Sequence, residues 1–216
     1  MTIRGASPNL PQLNRIGGAI LLGAVGGLLF LFAFPKGSIT TLMHDVLHLP
    51  GPGAGIALVL GPVALLFILL SAELVGRAPG GALLAALSFS LVYLITARIL
   101  TLPTSEKGMF GSIWFVAALA VCGVAAELLL LLTRKLRAPW RSVLAACSAN
   151  TALLLFYWTA VFPRTKGWIL WDDVPLLLVL NLLGGALAGV VVSALGSRVP
   201  RLSGFVSRRE SDVWTR

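Results

Sequence analysis

Both histidines of the chain fall in one stretch, His44-Asp45-Val46-Leu47-His48. Imidazoles four residues apart share one face of a helix, where two nitrogens and a carboxylate could hold a metal or exchange protons with a substrate. Two imidazoles without a third fixed ligand are more often hydrogen-bonding or capping groups at a water boundary, and that reading stands beside the chemical one. Cys122 and Cys147 each lie in an apolar run with no His or second Cys nearby, so they read as small packing residues rather than nucleophiles or a metal knuckle. The chain has no Gly-x-Ser-x-Gly elbow and no phosphate-binding Gly-x-x-x-x-Gly-Lys loop, so any nucleotide-driven step must come from another chain. No metal or cofactor is expected.

A second set of residues is aromatic and polar: Tyr93, Arg98, Trp114, Tyr157, Trp158, Trp168 and Trp171, joined by the acids Asp45, Glu106, Asp172 and Asp173. Amphipathic rings at headgroup depth form interfacial belts, which accounts for most of these aromatics. Those that turn inward would stack on a planar ligand and orient it with polar partners; a cationic or heteroaromatic solute suits such a lining. Toward the inner helix ends, Glu73 and Glu127 are expected to pair with Arg77 or Arg134 or reach the headgroups, and the deeper Asn150 and Asn181 to bond helix to helix.

The elements that must position these groups are set by composition. Of 216 residues 57% are hydrophobic and 12% charged, and mean hydropathy is +0.93. A soluble domain carries roughly a quarter charged residues, so an integral membrane protein is expected. Six runs reach the roughly 20 residues that a spanning helix needs: 16–34, 53–75, 80–102, 110–133, 139–162 and 174–196. They are continuous rather than alternating, which argues against an outer-membrane barrel. The expected fold is therefore an all-α bundle of six transmembrane helices (16–196), between a short N-terminal segment (1–15) and a basic tail (197–216). The first run resembles a signal peptide but is long and lacks a cleavage motif, so it reads as helix 1.

The formal charge is +9, yet the cations lie between apolar runs as topology determinants do, so nucleic-acid binding is not expected. One side of a six-helix plan would hold twelve Lys and Arg, the other Lys36, Arg98, Lys107, Arg164 and Lys166. Cytoplasmic retention of Lys and Arg then places both termini in the cytosol of a cell-membrane protein, with the tail solvated or against lipid headgroups. Loop 1 (35–52) is the longest outer connection. Ser38 is expected to cap a helix over 39–49, with Leu42, Val46 and Leu49 on one face, His44 and His48 on another, and Pro50 ending it. Helix 1 carries Ala19, Gly23 and Gly27 at four-residue spacing, a stripe permitting close approach either within the bundle or to a partner. No pair of Gly/Pro-broken helices of the kind found in self-sufficient carriers is expected.

With its stripe Ala19, Gly23, Gly27, its outer loop His44-Asp45-Val46-Leu47-His48-Leu49-Pro50-Gly51-Pro52-Gly53 and its six-helix plan, the chain resembles the substrate-binding S component of an energy-coupling-factor (ECF) transporter. Two glycines stand where alanines are usual in that family, and position 2 is Thr rather than the metal-binding His of its nickel and cobalt members. The resemblance implies a non-enzymatic subunit that captures a vitamin or similar organic micronutrient from outside, with loop 1 closing over it. It also implies docking through the helix 1 stripe onto a transmembrane T component served by two ATPases. Two other readings remain: a membrane enzyme acting on lipid or isoprenoid substrates through His44, Asp45 and His48, and a non-catalytic assembly or sensor subunit.

Overall fold

Long apolar runs become helices because only a helix satisfies every backbone N–H and C=O inside a single membrane-crossing segment. The computed structural model describes residues 10–34, 41–49, 53–74, 80–100, 112–165 and 171–198. Its long helices are α1 (Leu10–Ala33), α2 (Gly61–Leu74), α3 (Gly81–Ile99), α4 (Ile113–Leu132), α5 (Ala138–Phe156) and α6 (Val174–Arg198). A π-helical turn, Ile56–Leu60, leads into α2, and another, Tyr157–Val161, prolongs α5. All six helical units are long and apolar enough to cross a bilayer, so the chain is an all-helical, multi-pass membrane protein. The spans expected from sequence are all found, with ends within three residues except that α1 begins earlier, at Leu10. The tail lies outside the described residues.

α2 is the centre of the bundle. Of its span, 61% of residues are buried, against 33–39% in the other five, and it packs on all of them. Around it runs an arc α1–α3–α4–α5–α6, each helix against the next. Close approach within that arc depends on residues without side chains. A methyl group at Gly23 would overlap the Ala85 carbonyl on α3, and one at Gly27 the Phe89 carbonyl; one at Gly185 of α6 would lie 2.7 Å from Cys147 Cα on α5. Above the α1–α3 contact sits an aromatic core: Phe30 meets Phe89 and Tyr93 at ring-centroid distances of 5.9 Å, and Tyr93 meets Phe115 of α4 at 4.8 Å.

Polar links fix one end and close packing the other. At one end Arg141, in the first turn of α5, forms a salt bridge with Glu73 near the end of α2, and a methyl group at Gly196 of α6 would lie 3.5 Å from Glu73 Cβ. Beside them the Glu127 carboxylate, late in α4, accepts the N–H of Gly80. Gly80 takes φ 82°, a left-handed conformation open to glycine at little cost, and so starts α3. At the other end Gly53, before α2, packs against Leu154 and Trp158 of the α5 unit and Leu177 of α6. Loop 1 joins this second end, where α1 finishes and α2 begins.

Candidate functional site

The central helix is irregular where it follows loop 1, and the cause is Pro62. With no N–H, Pro62 leaves the Leu58 carbonyl without its helical donor and crowds it with the ring. The backbone widens there: the Gly61 N–H donates to Ile56 O, five residues back. α5 repeats the arrangement at the same end of the bundle, where the Phe162 N–H donates to Tyr157 O just before Pro163. Both π segments are thus five residues long, followed by one residue and a proline. Gly53, three residues before the first segment, meets the α5 unit beside the second: a methyl group there would be 3.0 Å from a Leu154 methyl and 3.1 Å from Trp158 Nε1. Neither helix is broken: each runs through its π segment as one continuous span. The sequence signals were Gly61-Pro62 and Phe162-Pro163, one inside and one at the edge of an apolar run. π-Bulges of this kind concentrate at functional positions.

A buried polar node lies directly below. Asn150 of α5, fully buried, donates from Nδ2 to the carbonyl of Ala57 (3.0 Å), within the π segment, and to that of Asn181 on α6 (2.8 Å). The Asn181 side-chain amide and Thr151 Oγ1 are 3.0 Å apart. Asn150 Oδ1 has no hydrogen-bond partner among the described residues and faces Gly61, where any Cβ would overlap it. Asn181 stands seven residues past the start of α6, about 10 Å into the span. The two asparagines do bond helix to helix, and one of them also satisfies a carbonyl in the irregular stretch of the central helix.

Of the helix expected over 39–49, the described part is a single π-helical turn, Thr41–Val46. Its side chains do not follow the expected face. Leu42 and Val46 are exposed, Leu49 is partly buried against the core, and Met43 (3% exposed) is the residue inserted into it, because a five-residue hydrogen-bond spacing stacks different positions from a four-residue one. The turn ends not at Pro50 but at His48, whose φ of 50° lets the Leu49 N–H reach Met43 O at 2.8 Å. This is a left-handed helix stop of the kind glycine or asparagine usually supplies. His48 and Asp45 are exposed. His44 lies in the turn, but its side chain is outside the described residues. No group of three or more His, Cys, Asp or Glu comes together among the described residues.

No family model, curated protein or solved structure matches this chain. The assignment of the aromatic residues therefore rests on geometry alone, and it divides them. Tyr93 (8% exposed) is held between Phe30 and Phe115 in the α1–α3–α4 core, which removes it from a lining role. Trp114 packs on Phe156 and Tyr157 on Phe162, all partly or largely buried. Trp158 (6% exposed) is the one against Gly53. Trp171, at 80% exposed, is turned outward, as a belt residue is. Asp172 and Asp173 open α6, and Arg98 lies in the last turn of α3; each charge has the sign that complements its helix end. Glu106 and Trp168 lie outside the described residues. Ala19, Gly23 and Gly27 are buried against α3, so a partner-facing stripe is corrected to an internal seam. Sequence reasoning gave no inward role to Met43 and placed Gly53 in the outer loop rather than against Trp158. The run Gly53-Ala54-Gly55, small residues opening an otherwise bulky apolar span, was the available signal for the second.

Proposed function

We propose that this chain is the solute-binding subunit of a multi-component uptake transporter in the cell membrane, of the ECF S-component type, and that it takes a small organic micronutrient from the side of loop 1. The observation that carries the reading is the pair of π segments, Ile56–Leu60 and Tyr157–Val161, at the loop 1 end. Irregular backbone at membrane depth supplies carbonyls free of the regular helical ladder, and in carriers such stretches line the solute path. Here one such carbonyl, that of Ala57, is already bonded by a side chain from another helix. It can exchange that partner for a donor on a solute without unwinding the central helix. Met43, 3% exposed, anchors loop 1 in the bundle core. The indole of Trp158 supplies a flat face and an N–H to a planar solute.

The T component and ATPases follow from the resemblance in plan and loop. A docking surface on helix 1 would have to be its other face, where Leu21, Leu29 and Phe32 are exposed. The test is native mass spectrometry of the full chain released from its own membranes in mild detergent. The expected result is a bound organic molecule retained by the wild type and lost from Trp158→Ala, while Trp171→Ala keeps it. A wild type that carries no small molecule, or a Trp158→Ala variant that holds it equally well, overturns the proposal.

A further inference from the structure

At the end opposite loop 1, α4 and α5 are joined by a tight turn. The Thr133 N–H donates to Leu129 O at 2.8 Å and the Leu136 N–H to Thr133 O at 2.9 Å, so the connection has a fixed shape. It displays Arg134, Lys135 and Arg137, all exposed. Next to them are two large apolar side chains, Leu136 and, at the start of α5, Trp140, which is 67% exposed.

Neutralisation from within the described structure would need an acid at this end, and there are two. Glu73 is bound by Arg141 and Glu127 by the Gly80 N–H. Each carboxylate is thus committed to an internal task, while three cations within four positions face outward beside an indole. Topology alone requires positive charge on this side; it does not require a rigid turn, nor an exposed tryptophan and leucine level with the cations.

We infer that the α4–α5 turn is a binding site for the headgroup of an anionic phospholipid. Arg134, Lys135 and Arg137 would meet the phosphate oxygens, and Arg can do so through two parallel N–H bonds. Trp140 would lie at the glycerol level, where amphipathic rings partition, with Leu136 against the acyl chains. Basic clusters at the end of a membrane helix attract anionic headgroups additively. Three charges held in one turn therefore give selectivity and not simply adhesion.

The experiment places the purified full chain in nanodiscs holding equal parts phosphatidylglycerol and phosphatidylcholine of matched chains, and counts retained lipids by native mass spectrometry. The wild type is expected to retain phosphatidylglycerol preferentially. A triple variant, Arg134→Gln with Lys135→Gln and Arg137→Gln, is expected to lower that preference at least about tenfold. Trp140→Ala should weaken retention of both lipids without changing their ratio, and Arg98→Gln, at the other end, should change nothing. All three substituted cations are exposed, and an unchanged thermal unfolding midpoint would establish that the triple variant is folded. Added inorganic phosphate in millimolar amounts should not displace the lipid. The inference is overturned by an equal ratio for the wild type, by a triple variant that keeps the wild-type ratio, or by displacement with inorganic phosphate, which would make the turn a site for a soluble anion.

Discussion

A single methyl group distinguishes alanine from glycine, and in α1 its consequence depends on position. At Gly23 it would overlap the Ala85 carbonyl, part of the α3 backbone and unable to rotate away. At Gly17 nothing lies within 4 Å. Gly23→Ala is therefore expected to cost about 1–3 kcal/mol by forcing the two helices apart, and Gly23→Leu more. Gly17→Ala should be neutral or stabilising by up to about 1 kcal/mol, since alanine is the better helix former. Thermal or denaturant unfolding in detergent measures both, and equal stability of Gly23→Ala and wild type would rule out the α1–α3 seam. The spacing of the stripe was legible in the sequence. Its destination was not, because a smooth helix face suits a neighbour in the same chain as well as one in another. The same ambiguity hid the difference between Tyr93, locked in the core, and Trp171, facing out: both are aromatics near the end of an apolar run.

At the scale of the helix, existence and length were readable while orientation about the axis was not. A spanning helix must be apolar toward lipid and toward its neighbours alike, so the amphipathic stripe that would show an inward face in a soluble protein is absent. That α2 rather than α4 occupies the centre could not be foreseen for this reason. Glu73 was visible as an acid near a basic loop, but pairing was expected with Arg77 or Arg134, its neighbours in sequence or charge. The structure pairs it with Arg141, one turn inside α5, tying the end of the central helix to the start of another. A buried pair is costly to half-remove. Arg141→Met should destabilise the bundle by about 3 kcal/mol, leaving Glu73 charged and unmatched, and adding Glu73→Gln should recover most of the loss. A denaturation series on the two single variants and the double variant provides the cycle; additive losses would mean that the two side chains do not act as a pair.

The molecule as a whole has two unlike ends. One carries the π segments, Met43 and the exposed Asp45 and His48; the other carries Arg134, Lys135, Arg137, the Glu73–Arg141 bridge and the last turn of α6. The proposed uptake from outside calls for the first end to face the exterior, and the count of twelve cations against five predicts the second end in the cytosol. Cysteine labelling in intact cells tests it. Cys122 is fully buried and Cys147 lies within the α5 span, so neither reports on either surface once Cys147 is replaced by alanine. In that background Asp45→Cys is expected to react with a membrane-impermeant maleimide from outside, and Arg137→Cys only after the cells are permeabilised. Removing the Arg137 charge leaves eleven cations on that side, still well above the five opposite, so the substitution does not itself invert the chain. Reaction of both positions from one face would contradict the antiparallel passage of the helices. Reaction of Arg137→Cys alone from outside would invert the protein, and loop 1 would then meet a solute leaving the cell rather than one arriving.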